Sequence, residues 1–113
     1  MAVNYAVYIQ GTVNYLYGTS ASTPVFAGMI SLVNSEREKR GLGTVGFINP
    51  TLYSSNNTNK YNDIVIGSSK CCSSSDSKSP YCCNTGFEAG IGWDPVSGHG
   101  SVMYENLLSM FQQ

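Results

Sequence analysis

The run Gly18-Thr19-Ser20-Ala21-Ser22-Thr23-Pro24 joins two stretches of opposite character, and it constrains the fold more than any other segment. Before it, Val3 to Ile9 and Val13 to Tyr17 are rich in β-branched and aromatic residues and are separated by Gln10-Gly11-Thr12. That pattern predicts a β-hairpin with a tight, glycine-containing turn. After the run, Val25, Phe26, Met29, Ile30, Leu32 and Val33 recur at helical spacing. Pro24 suits the first turn of a helix, where its missing N–H has no intrahelical partner. Glu36 to Arg40 form a solvated tail, and Gly41 and Gly43 can end the helix. The helix is apolar at its start and charged at its end, so its N-terminus is expected to be buried.

Ser20 therefore sits at a strand-to-helix junction among small neighbours, which leave room for a substrate. Free N–H groups and the positive dipole end of a helix favour a developing oxyanion there. A serine hydroxyl needs a base within hydrogen-bond reach to act as a nucleophile. The competing reading is a helix cap, since Ser and Thr commonly precede helices. His99, the single histidine, lies between two glycines with no acidic neighbour, and reads as a surface-loop residue rather than that base. An activator would be a carboxylate or would lie outside this chain.

Composition narrows the function classes. Charged residues are 12% of the 113, about half the usual share of ~25%. Seven acidic against six basic side chains leave a net charge of −1, which offers nothing to a nucleic acid. No apolar run approaches the ~18 residues a membrane span needs. The start, Met1 to Tyr5, lacks the features of a signal peptide, so a secreted protein would carry its signal upstream. With no repeat and no linker, residues 1–113 read as a single unit.

A second candidate site pairs Asp63 with the glycine-rich segment Gly90 to Asp94, which lies in a stretch from Gly86 to Gly100 with five glycines in fifteen residues. Calcium takes several oxygens, and backbone carbonyls serve as well as carboxylates. Gly90 and Gly92 permit the sharp turns that aim carbonyls inward, while Asp63 and Asp94 supply charge. An ordinary Gly/Pro loop with Trp93 as a packing plug is the plainer reading. The cysteines form two vicinal pairs, Cys71-Cys72 and Cys82-Cys83, whose spacing fits neither zinc nor thiol redox motifs. The segment between them is too polar to hold itself by burial, so one or two disulfides between the pairs are expected, with free thiols the alternative. Asn56-Asn57-Thr58, a glycosylation acceptor, agrees with an oxidising compartment.

Four segments in order resemble one family. Gly18 to Pro24 with its apolar helix is similar to the serine segment of the sedolisins, the serine-carboxyl peptidases. Gly46-Phe47-Ile48-Asn49-Pro50-Thr51-Leu52-Tyr53 resembles the segment that follows. Asn62-Asp63-Ile64 and Gly90-Ile91-Gly92-Trp93-Asp94-Pro95-Val96-Ser97-Gly98 resemble their calcium loop. The resemblance implies an α/β fold: the C-terminal portion of a subtilisin-like, doubly wound parallel-sheet domain, with a β-hairpin, a buried helix after the nucleophile and a long calcium-binding loop region.

It also implies that Ser20 is the nucleophile, its N–H forming half of an oxyanion hole. The Ca2+ ligands it implies are the side chains of Asp63 and Asp94 and the carbonyls of Ile64, Gly90 and Gly92. In that family a glutamate replaces the usual histidine, an aspartate orients it, and a protonated aspartate completes the oxyanion hole, which favours acidic pH. No motif here matches those carboxylates. The chain is thus expected to be a light chain or C-terminal fragment, inactive without a larger N-terminal chain of the same peptidase. Its substrate would be a peptide or protein and its place secreted, lysosomal or an acidic vacuole. The alternative is a non-catalytic, calcium-binding, disulfide-stabilised module with a relic serine. Tyr17 departs from the family, which has a small residue there, and the insert from Ser68 to Asn84 has no counterpart.

Overall fold

The computed structural model describes residues 2–72 and 81–112. Contacts divide the chain into two compact units, the first running up to Gly46 and the second from Phe47 to Phe111.

The first unit opens with strands β1 (Ala2–Ile9) and β2 (Thr12–Gly18), paired antiparallel with Ile9 opposite Thr12. That register leaves only Gln10 and Gly11 in the turn, both at positive φ (51° and 78°). Two left-handed residues give the mirror-image turn whose twist matches a hairpin, and glycine takes one of them without strain. The expected hairpin is therefore present, with an irregularity between Ala2 and Tyr5 where Asn4 also has positive φ. Helix α1 (Thr19–Lys39) follows without a loop. The small-residue run is the first turns of the helix itself, in which Ser22 and Thr23 turn their hydroxyls back onto the Gly18 and Thr19 carbonyls (3.5 and 2.9 Å). Pro24 consequently lies inside the helix and not in its first turn.

The expected burial of this helix is not found. Val33 is fully buried, but Val25 and Leu32 keep 45% and 56% of their surface exposed, and Ser20 is exposed. The reason is geometric. A 21-residue helix is about 30 Å long, and a two-stranded hairpin is too narrow to cover it. At the far end, Gly41 at φ 73° lets the Gly41 and Leu42 N–H groups return to the Glu38 and Arg37 carbonyls, closing the helix.

The second unit is built around α3 (Tyr104–Met110), whose Leu107 and Met110, with the adjoining Phe111, are buried. The spacing 107, 110, 111 is one helical face; Leu108 is only half-buried. Around this core lie α2 (Asn49–Leu52), opened by Pro50, and a 3-10 turn, Ser55–Lys60. This polar stretch is tied into the unit by side-chain hydrogen bonds. Asn57 is buried and donates to the Thr51 carbonyl (2.7 Å), and Asn106 of α3 donates to the Lys60 carbonyl (2.8 Å). Strand β3 (Tyr61–Asn62) pairs antiparallel with β6 (Ser101–Val102).

A third ladder joins β4 (Cys71–Cys72) to β5 (Tyr81–Cys82) and carries a disulfide between Cys71 and Cys82. Cys72 and Cys83 are exposed free thiols, so one bridge forms between the pairs. The Lys70–Glu88 ion pair and the Ser69 N–H to Phe87 carbonyl bond (2.9 Å) hold the base of this loop. The residues between the strands, 73–80, lie outside those described. All three sheets are two-stranded and antiparallel, so among the described residues the chain is a small mixed α/β protein with no parallel strand pair. No helix here is long and apolar enough to cross a membrane among the described residues.

Candidate functional site

Ser20 is the second residue of α1, with Gly18 as N-cap at a positive φ that favours glycine (φ 139°, ψ 165°) and no side-chain cap. The capping reading therefore does not describe it: glycine occupies the cap. Among the described residues the Ser20 hydroxyl makes no hydrogen bond, in contrast to Ser22 and Thr23, which are engaged by the helix. An exposed hydroxyl at the opening turn of a long helix stands beside N–H groups that have no intrahelical acceptor. Those donors and the positive end of the dipole would stabilise negative charge forming there.

No carboxylate of this unit lies near Ser20. Its acidic residues are Glu36 and Glu38, and at 1.5 Å per residue Glu36 lies about 24 Å along the helix from Ser20. Glu36 is instead tied to Lys39 (2.6 Å), whose ammonium hydrogen-bonds its carboxyl and holds it below the usual carboxylate range. Beside Ser20 is a recess of about 190 Å³ between the hairpin and the start of the helix.

In the second unit, Asp63 and the glycine-rich loop do come together. The Asp63 carboxylate accepts a hydrogen bond from the Gly92 N–H (2.7 Å), and Gly92 takes positive φ (85°). Asp94 is 5% exposed and organises the rest of the loop. Its Oδ1 accepts from the Val96 and Ser97 N–H groups (2.8 Å each) and its Oδ2 from the Gly90 N–H (3.2 Å). Ser97 adds its hydroxyl (3.2 Å to Oδ2), and Asp94 and Gly98 exchange backbone bonds that close a turn (2.9 and 3.1 Å). The Ser97 main-chain N–H, with those of Gly90 and Val96, holds the Asp94 carboxyl below its ordinary value against the opposing effect of burial. Ile64, next to Asp63, is 39% exposed.

No group of three or more His, Cys, Asp or Glu side chains gathers among the described residues. A cation here would need main-chain oxygens beside the two carboxylates. Asp63 and Asp94 both meet the Gly90 to Asp94 stretch, through the Gly92 and Gly90 N–H groups respectively, and carboxylate oxygens are of the hard type that calcium takes.

His99 is not the free loop residue its sequence context suggested. It is half-buried between Tyr61 (ring centroids 5.3 Å, planes 29° apart) and Tyr53 (5.2 Å, 49°). Tyr61 donates its hydroxyl to the Leu52 carbonyl (2.8 Å), and burial, with Tyr53 beside it, pushes its phenol up. Sequence reading missed this aromatic clasp because the residues lie far apart in the chain. It also missed the part of Ser97, although Asp-x-x-Ser is a recognisable local turn signal.

No family model matches the chain. Individual proteins do. The chain is 40% identical to tripeptidyl-peptidase sed1 of Aspergillus fumigatus over 111 residues, 98% of its own length. It is 38% identical to physarolisin of Physarum polycephalum over 96% of its length, and 40% identical to tripeptidyl-peptidase 1 of Bos taurus over 83%. The chain spans 15%, 18% and 16% of those three relatives, respectively.

Proposed function

The chain is homologous, over nearly its whole length, to one segment of sedolisin-family proteins that include tripeptidyl-peptidases, and from that premise we propose that it is the smaller, C-terminal part of a serine peptidase acting at acidic pH. Its homologues are peptidases. In this reading Ser20 Oγ attacks the carbonyl carbon of a peptide bond and the N–H groups at the start of α1 receive the oxyanion. The base that takes the serine proton is a carboxylate on a larger N-terminal part or partner chain, which also supplies the orienting and oxyanion aspartates. The observation that supports it most is the free, exposed hydroxyl of Ser20 at the opening of α1. The unit that holds Ser20 has no carboxylate near it, in keeping with a base held elsewhere. The Cys71–Cys82 disulfide favours an oxidising place of action, secreted or lysosomal.

The test is the pH dependence of peptide hydrolysis by the intact peptidase that contains this chain. A carboxylate base and a protonated aspartate together give kcat/KM that peaks in the acidic range and falls before neutrality. A profile that rises to a plateau at neutral pH would sink the carboxylate reading. Absence of hydrolysis at every pH would favour a non-catalytic, calcium-binding module.

Ca2+ in this reading is held by Asp63 and Asp94 with the carbonyls of Ile64, Gly90 and Gly92. The ion contributes charge neutralisation and ordering of the loop, not a chemical step. Asp94→Asn is expected to lower the melting temperature at neutral pH and to remove the gain in melting temperature that calcium confers. The wild type has a further signature. Because the folded carboxyl of Asp94 is held low, its contribution to stability is present above the unfolded carboxylate value of about 4 and fades as pH falls through the lower folded value. Melting curves recorded against pH should therefore lose stability below about pH 4, and Asp94→Asn should flatten that part of the dependence. Identical melting with calcium and with chelator would remove the metal from the proposal.

A further inference from the structure

Two asparagines stand side by side in the 3-10 turn Ser55–Lys60, and the turn sends them different ways. At about three residues per turn, positions 57 and 60 share one side and positions 56 and 59 another. Asn57 is buried and Lys60 half-buried, while Ser55, Asn56, Thr58 and Asn59 are exposed. The fold uses Asn57, whose amide donates to the Thr51 carbonyl (2.7 Å). Among the described residues the Asn56 side chain makes no hydrogen bond. Thr58 bonds within the turn, its hydroxyl donating to the Ser55 carbonyl (3.1 Å).

Asn56-Asn57-Thr58 is the one triplet of the chain that has asparagine, a residue other than proline, and then serine or threonine. Asn49-Pro50-Thr51 has the outer residues with a proline between them, which disqualifies it. The triplet rule thus selects Asn56 and passes over Asn57, and the fold exposes Asn56 and buries Asn57. We infer that Asn56 carries an N-linked oligosaccharide. Such a group is bulky and hydrophilic, so its asparagine must stay at the surface with no part of the fold held by its amide. Asn56 meets both conditions. In the transfer, the Asn56 amide nitrogen bonds to the anomeric carbon of a lipid-linked oligosaccharyl pyrophosphate. The bond from that carbon to the pyrophosphate oxygen breaks, the lipid pyrophosphate leaves with the electron pair, and the amide proton passes to a base of the transferase. The Cys71–Cys82 bridge agrees with passage through an oxidising, secretory compartment. Carbohydrate at Asn56 keeps this side of the second unit in solvent, so any larger part of the protein contacts the chain elsewhere.

The test uses the intact protein that contains this chain, secreted from a eukaryotic host, and peptide mass spectrometry. Spectra are recorded before and after enzymatic removal of N-linked carbohydrate in heavy-oxygen water. The peptide holding residues 53–60 is expected to appear only after removal, with Asn56 converted to a labelled aspartate. Thr58→Ala leaves Asn56 in place and is expected to return that peptide unmodified, while Thr58→Ser keeps the hydroxyl and the carbohydrate. An unmodified Asn56 in the folded, secreted wild type overturns the inference, and so does carbohydrate retained at residue 56 by Thr58→Ala. The wild-type result decides by itself should a variant fail to fold. The readout is a mass at one residue, so it stands whether or not Ser20 is a nucleophile.

Discussion

Ser20→Ala in the intact peptidase is expected to cut kcat by on the order of a millionfold, as loss of the nucleophile does in serine peptidases generally. The same substitution should leave the fold untouched. Among the described residues the Ser20 hydroxyl bonds to nothing, it is exposed, and it lies within a helix where alanine has the higher propensity. Melting temperature should therefore stay level or rise slightly while activity vanishes. That combination separates a chemical role from a structural one. Ser22→Ala and Thr23→Ala are the natural comparisons, since those hydroxyls are already committed to the Gly18 and Thr19 carbonyls. Hydrolysis by Ser20→Ala at even a tenth of the wild-type rate would end the nucleophile assignment.

The second large effect concerns Gly100. A Cβ at this position would stand 2.1 Å from the Asn62 carbonyl oxygen and 3.1 Å from Asp63 Cα, and the backbone there has φ +97°. Both neighbours are main chain, so neither can swing aside as a flexible side chain would. Gly100 also directly precedes β6, whose Ser101 pairs with Asn62. Gly100→Ala must then push β6 off β3 or distort the turn that the Gly100 N–H makes to the Ser97 carbonyl (3.0 Å). Left-handed strain and overpacking together give a cost of about 4 kcal/mol. Thermal unfolding of the intact protein would register this as a lowered transition, and limited proteolysis would find new cleavage near residues 61–63. Gly43→Ala is the contrast, because nothing lies within 4 Å of a Cβ there, and its effect should stay within about 0.5 kcal/mol. Equal effects of the two substitutions would show that the close approach at Gly100 does not matter.

Local chemistry made several features legible from residues alone. Stretches rich in β-branched and aromatic residues on either side of Gln10-Gly11 specify a hairpin, and the structure pairs them with Ile9 opposite Thr12. The Cys71–Cys82 bridge was anticipated as a link between the pairs, but which cysteines join depends on the ladder register. The order of the serine, Asn-Pro and Asp/glycine segments was enough to point to the peptidase relatives, because each holds glycines and polar residues at positions where few others serve.

Other features depended on distant neighbours. Pro24 looked like a first-turn residue because small residues before it mimic a loop; the helix takes them in, with the Ser22 and Thr23 hydroxyls bonded back along it. The burial expected at the start of α1 follows from periodicity, but periodicity marks a face without saying what covers it. His99 between two glycines looked solvated until Tyr53 and Tyr61, remote in the chain, closed on it.

What the sequence determined by itself is the set of short-range choices: turn at Gly11, helix after Gly18, a serine among small residues, two aspartates with glycines near them. These rest on backbone sterics and side-chain periodicity over a few residues. Only the tertiary structure decided that Asp63 meets the Gly92 N–H across 29 residues, that Gly100 lies against the main chain of Asn62, and that an apolar recess opens beside Ser20. Those are contacts between segments far apart in sequence, fixed by how elements pack, and no local propensity carries that information.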